Sequence, residues 1–190
     1  MQDKIQHHFD RHLETLHWAK ENLSSDIQRC VEMLCDALRQ GKKILIMGNG
    51  GSAADSQHFA AELVGRFLKN RAALPAIALT TDTSILTAVG NDFGFDQIFS
   101  RQVEALAEGG DVVIGISTSG NSENVRIALE QARQRKCLTV ALLGRDGGEI
   151  AELADLPLTV KVQETPFIQE THLTVIHLLC DLVEQELFRA

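Results

Sequence analysis

The chain of 190 residues is 44% apolar and 23% charged, long enough to bury a substantial core as one domain over 1–190. Its net charge of −8 argues against a binder of the nucleic-acid backbone, which would normally show a basic face, and it leaves an anionic ligand to be held by local donors. No apolar run reaches the roughly 20 residues that span a bilayer, and the N-terminus lacks a signal-peptide core, so the expectation is a cytoplasmic protein without membrane or nucleic-acid partners.

Ile5, Phe9, Leu13 and Leu16 recur at helical spacing and predict an amphipathic helix over the first twenty residues. A second helix is predicted behind Ser24 or Ser25 as N-cap, with Ile27, Val31, Leu34 and Leu38 facing inward and Gly41 ending it. This N-terminal helical pair (1–41) precedes an α/β core (42–190). It is more than a sheet needs for cover, and reads either as an oligomer surface or as another layer on the sheet.

Strand 43–47 is followed by a helix from Ser52 to about Leu68, and strand 75–79 by a turn at 80–84 and a short helix to Val89. A loop at 90–94 leads into a helix over 97–107. Strand 112–116, a helix from Asn121 to about Lys136, strand 138–143, a turn at 144–148, a short helix at 149–154, strand 158–162 and a terminal helix 168–188 complete the chain. Strands alternating with helices imply right-handed crossovers and a doubly wound parallel sheet. Cys30, Cys35, Cys137 and Cys180 have no metal-type spacing and are expected as buried free thiols.

Two stretches carry the chemistry. Gly48-Asn49-Gly50-Gly51-Ser52 and Ser117-Thr118-Ser119-Gly120-Asn121-Ser122 each follow a buried strand and open a helix. Such turns offer unpaired backbone N–H groups and hydroxyls at a helix N-terminus, which suits a phosphate. Two of them at strand C-terminal ends point to one phosphorylated ligand in one crevice. Gly48-x-Gly50-x-x-Ala53 also fits a dinucleotide fingerprint, but Asp82 lies beyond its usual spacing, and no Lys-Ser or Lys-Thr follows for a Walker loop.

Ser52 is the expected N-cap of its helix. On that helix His58 and Glu62 are i and i+4, a spacing that serves a metal, an acid–base pair or an exposed ion pair equally. Arg66, one turn further, could pair with Glu62 or with an anion. The terminal helix presents Gln169, His172, His177 and Asp181 opposite a strongly apolar face, and either histidine could be a core residue with a local partner. Gln169 and His177 are about 12 Å apart along an ideal helix, so they share one ligand only by reaching toward each other.

Taken together, these loops, His58-Phe59-Ala60-Ala61-Glu62-Leu63, Gly90-Asn91-Asp92-Phe93-Gly94, Gly144-Arg145-Asp146-Gly147-Gly148 and Ile168-Gln169-Glu170-x-His172-x-x-x-Ile176-His177 resemble the SIS (sugar isomerase) domain family, and more narrowly its phosphoheptose isomerases. The match runs in order through nearly the whole chain. The resemblance implies a flavodoxin-like α/β fold. It also implies interconversion of sedoheptulose 7-phosphate and D-glycero-D-manno-heptose 7-phosphate, the first step toward the ADP-heptose of lipopolysaccharide core.

Further, the resemblance implies substrate contacts from Asn49, Gly50, Gly51, Ser52, Glu62, Asn91, Asp92, Ser117, Thr118, Ser119, Ser122 and Gln169. Glu62 and His177 become the acid–base pair, and His58, Glu62, Gln169 and His177 the ligands of a zinc. A homotetramer with sites between subunits is implied as well. The N-terminal helices that the sheet does not need, and more strongly the sites between subunits that the resemblance implies, lead to the expectation that two subunits share Glu62 and His177, which nothing in the sequence requires to meet within one chain. Family members usually carry Arg where this chain has Phe167, which leaves sugar specificity open. The rival reading is a non-catalytic SIS domain that senses sugar phosphates or binds a replication initiator; the presence of both Glu62 and His177 favours the enzyme.

Overall fold

The computed structural model describes residues 1–189. Its strands are β1 (Ile44–Gly48), β2 (Ala76–Ala78), β3 (Val112–Ser117), β4 (Leu138–Gly144) and β5 (Leu156–Val160). Its helices are α1 (Gln2–Arg39), α2 (Gly51–Val64), α3 (Thr83–Phe93), α4 (Ser100–Leu106), α5 (Glu123–Gln134), α6 (Gly148–Leu153) and α7 (Thr165–Leu187). All strand pairings are parallel, in the order β2-β1-β3-β4-β5. The expected doubly wound sheet is therefore present.

Strand periodicity divides the core in two. Ile44 and Ile46 face a cluster with α1, α2 and α7, whereas Leu45 and Met47 face α4, α5 and Ile150 of α6. Both faces are covered, which is why β1, β3 and most of β4 are buried along their length. β1 pairs with β3 from Ile44↔Val112 to Gly48↔Ile116. The two strands therefore end level, and the loops beginning at Asn49 and Thr118 emerge side by side.

The N-terminal region corrects the expected helical pair: it is one helix of 38 residues, about 57 Å long. No Gly or Pro interrupts residues 2–39, and the Ser24 hydroxyl donates back to the Lys20 carbonyl instead of capping a new helix. Its second half is buried through Ala19, Leu23, Ile27, Val31 and Leu34. Its first half leaves Ile5, Phe9 and Leu13 53%, 63% and 62% exposed.

Three smaller expectations also change. Residues 90–93, read as loop, form the last turn of α3, because the Asp82 carboxylate accepts from Ile85 N–H and fixes that helix's start, while Gly94 at φ +92 ends it. The helix predicted to reach Leu68 stops at Val64. β5 begins at Leu156, two residues earlier than expected. The four cysteines are buried free thiols as expected, and burial pushes Cys30 up to about 12.

Candidate functional site

β1 leads to β2 on one side of the sheet and β3 to β4 on the other, so the crevice beyond Gly48 and Ser117 is the switch point of a doubly wound sheet. Both glycine- and serine-rich loops lie there. They are tied together by a reciprocal amide pair: Asn49 Nδ2 donates to Asn124 Oδ1 at 2.8 Å, and Asn124 Nδ2 returns the bond at 2.9 Å. Asn124 is buried in the first turn of α5 and was not singled out from the sequence, since only tertiary pairing gives it a role.

The two helix starts present their amides in similar ways. α2 has Gly50, at φ +56, as its N-cap and no side-chain cap. Ser52 is therefore not the cap; it sits inside the first turn, where its N–H bonds the Asn49 carbonyl. At α5, Ser122 is the N-cap residue, but its hydroxyl bonds Ser117 Oγ at 2.8 Å and caps no backbone N–H. Ser117 Oγ also accepts from Gly120 N–H at 3.1 Å, and Ser119 Oγ accepts from Asn121 N–H at 3.1 Å. The serine loop is thus curled by its own hydroxyls while the first amides of α5 lack a side-chain acceptor, the arrangement that takes an anion.

The start of α6, behind the turn at 144–148, braces this loop. Ile150 N–H donates to the Gly120 carbonyl at 3.1 Å and Glu149 N–H to Asn121 Oδ1 at 3.1 Å. A Cβ on Gly120 would lie 2.2 Å from the Gly147 carbonyl oxygen, and the residue sits at φ +71, so only glycine closes this contact.

The acid–base candidates meet beside this crevice. His58 Nε2 on α2 lies 2.9 Å from His177 Nε2 on α7, with the rings edge-on at 64° and 5.1 Å between centroids. Glu62 Oε1 is 3.7 Å from the same His58 nitrogen. The side chains of His58 and Glu62 keep 39% and 24% exposure, so they remain within reach of a small ligand. This overturns the expectation that Glu62 and His177 come from different subunits. α2 and α7 pack against each other on one face of the same sheet, and the triad closes within one chain.

Gln169 lies nearer the start of α2. A Cβ at Gly51 would come 1.9 Å from its Nε2, so Gly51 makes the space that this amide fills. Asp55 is 8% exposed, with Oδ2 lacking a partner among the described residues. Burial pushes its carboxyl above the usual carboxylate range, against the opposing pull of the Gln169 amide and His58. Asp55 was also missed, although 55, 58 and 62 share one helical face and that spacing is readable.

Other expected residues lie elsewhere. Asn91 and Asp92 are exposed on the last turn of α3, with Asn91 Nδ2 bonded to Asp92 Oδ1 at 2.8 Å. Arg66 is exposed. Phe167 turns toward α1, where its ring is 4.9 Å from that of His8 and 5.9 Å from the Arg11 guanidinium. It joins α7 to α1.

His172 is a core histidine. It is 1% exposed, its Nε2 bonds the Leu143 carbonyl at 2.9 Å, and its Nδ1 has no partner among the described residues. Burial lowers its pKa to about 4, outweighing the bond to Leu143. Between pH 6.5 and 4 the unfolded chain therefore binds more protons, so stability present at neutral pH is lost as pH falls. We expect roughly 2 kcal/mol to disappear between pH 7.5 and pH 5 from this group alone. Urea midpoints at the two pH values, compared with those of His172→Gln, check it; equal slopes in both proteins would contradict the assignment.

Among the described residues no three His, Cys, Asp or Glu side chains are grouped as closely as a bound ion requires. The donor set nevertheless suits zinc in kind, because two imidazole nitrogens face each other beside a carboxylate.

Comparison with known proteins bears on this site. The family model described as SIS domain matches residues 7–144. The phosphoheptose isomerase of Geobacter sp. (strain M21) is 61% identical over 188 residues, covering 99% of this chain and 98% of its own. Among solved structures, the phosphoheptose isomerase of Neisseria gonorrhoeae is 46% identical with a TM-score of 0.92, covering 97% of this chain and 98% of its own. That of Francisella tularensis is 38% identical with a TM-score of 0.94, covering 96% and 97%.

Proposed function

This chain belongs to the SIS domain family, among its phosphoheptose isomerases, and on that premise we propose that Glu62 and His177 move the protons whose transfer within the substrate interconverts sedoheptulose 7-phosphate and D-glycero-D-manno-heptose 7-phosphate. The observation that carries the proposal is the meeting of His58, Glu62 and His177 within one chain, beside a crevice with two uncapped helix starts. Aldose–ketose exchange through an enediol moves one proton between C1 and C2 and another between their oxygens. One group serves the carbon and the other the oxygens, and a carboxylate with an imidazole suits both at neutral pH.

In this reading the sugar phosphate's anionic end lies on Ser117, Thr118, Ser119 and Ser122, against the first amides of α5. Asn49, Gly50, Gly51, Ser52 and Gln169 line the sugar's path toward Glu62. His58, Glu62 and His177, with Gln169 as a fourth donor, would hold a zinc, which supplies polarisation of the substrate carbonyl. Asn91 and Asp92, exposed on α3, reach a site from a neighbouring copy. The exposed Ile5, Phe9 and Leu13 of α1 give such copies an apolar stripe to share, consistent with a homotetramer. No helix among the described residues is long and apolar enough to cross a membrane. In this reading the enzyme works in the cytoplasm.

The test is incubation of metal-free and zinc-loaded protein with sedoheptulose 7-phosphate while the aldose is followed. Turnover is expected in the zinc-loaded sample. Binding of the sugar phosphate without turnover in either sample would overturn the proposal in favour of a sensor.

A further inference from the structure

α2 ends without a side-chain cap of its own, yet its last carbonyls are not left open. The Arg71 side chain, from the segment after α2, donates Nη2 to the Glu62 carbonyl at 2.9 Å and Nη1 to the Leu63 carbonyl at 2.8 Å and the Ala72 carbonyl at 3.0 Å. Its Nε donates to Glu184 Oε1 at 2.9 Å. A planar guanidinium is suited to closing a helix C-terminus in this way, satisfying orphan carbonyls and complementing the negative end of the dipole. The backbone of Glu62 is thus held by a cation.

That cation is held in turn from α7. Glu184 lies seven residues after His177, nearly on the same helical face. Its carboxylate also accepts from Phe67 N–H at 2.8 Å, Leu68 N–H at 2.9 Å and Lys69 N–H at 2.8 Å. The Arg71 and Glu184 side chains are 1% and 0% exposed. Burial works to raise the Glu184 carboxyl, and the Lys69, Phe67 and Leu68 amides with Arg71 outweigh it and hold it below the usual range. The segment folded around this carboxylate carries Phe67, whose ring lies 5.5 Å from the His177 ring at 31°. One buried ion pair therefore holds the Glu62 backbone directly and, through the Phe67 backbone, the ring that packs on His177.

We propose that Arg71 and Glu184 are positioning residues for the isomerisation, fixing Glu62 through its carbonyl and His177 through Phe67. The inference rests on the proposed roles of Glu62 and His177. A group displaced from its productive geometry loses transition-state stabilisation more than ground-state binding, because the phosphate end of the ligand is held elsewhere.

The experiment is steady-state kinetics of the full chain with sedoheptulose 7-phosphate for Arg71→Lys and Glu184→Gln, with thermal unfolding of each variant and Glu62→Gln as control. Lysine keeps the charge without the fork, and glutamine keeps one acceptor oxygen. We expect kcat to fall about 10–100-fold in each, with KM within about threefold of the parent, at temperatures where both remain folded. If both variants fail to fold, Phe67→Leu, which removes no buried charge, decides by the same measure, together with the His177 imidazole NMR signals, which should move. A kcat within about twofold of the parent in the folded variants overturns the inference. An active parent with an inactive Glu62→Gln and unimpaired Arg71 and Glu184 variants sinks this inference alone. A Glu62→Gln as active as the parent sinks the assignment of Glu62 on which it rests.

Discussion

Glu62→Gln and His177→Asn should each give a folded protein whose kcat for sedoheptulose 7-phosphate is at least roughly 10²–10⁴-fold lower than the parent's. Glutamine keeps the shape of the carboxylate but accepts no proton in the working range, and asparagine keeps a donor near the imidazole position without its basicity. Neither side chain is a core residue, so the loss is expected in turnover and not in stability. Near-normal kcat in either variant would make that residue structural. Mixing the two inactive proteins under conditions that exchange subunits should recover no activity, because His177 Nε2 lies 2.9 Å from the His58 nitrogen of its own chain, which is itself 3.7 Å from Glu62. Recovery would show that the working site pairs Glu62 of one copy with His177 of another.

Ser119→Ala and Ser122→Ala should raise KM roughly 10–100-fold, since a hydrogen bond to a charged group contributes about 1.5–3 kcal/mol. Their kcat should change by far less, because contacts to the phosphate persist in ground and transition states alike. Ser119 Oγ already accepts from Asn121 N–H, which leaves its own hydrogen to donate. Ser122 shares a hydroxyl–hydroxyl bond with Ser117 that an anion can reorganise. Ser117→Ala is a different change: its buried Oγ holds the Gly120 N–H, so its removal loosens the loop along with any direct contact. Unchanged KM in both Ser119→Ala and Ser122→Ala would move the phosphate to another part of the crevice.

What the sequence determined by itself is the part carried by local pattern. Apolar runs with flanking glycines marked β1 and β3, and the turn chemistry after them marked two helix starts facing one crevice. The i, i+4 spacing put His58 and Glu62 on one face of α2, and the motif order gave the family. Local pattern was also where it erred: Ser24 and Ser52 have the chemistry of caps, but each lies within a helix that the surrounding sequence continues.

Tertiary structure alone decided which elements meet. His177 is 119 residues from His58, and no spacing rule spans that distance; packing α7 beside α2 on one sheet face brought their ring nitrogens together. The same packing gave Asn124 its partner in Asn49, put Asp55 under Gln169, and sealed Arg71 and Glu184 away from water. It turned Phe167 toward α1 and left Asn91 and Asp92 exposed. The physical reason is that periodicity and turn residues reflect interactions within a few residues along the chain. The pairing of buried polar groups is set by the desolvation cost of leaving any of them alone, and that cost is incurred only once distant segments share a dry interior.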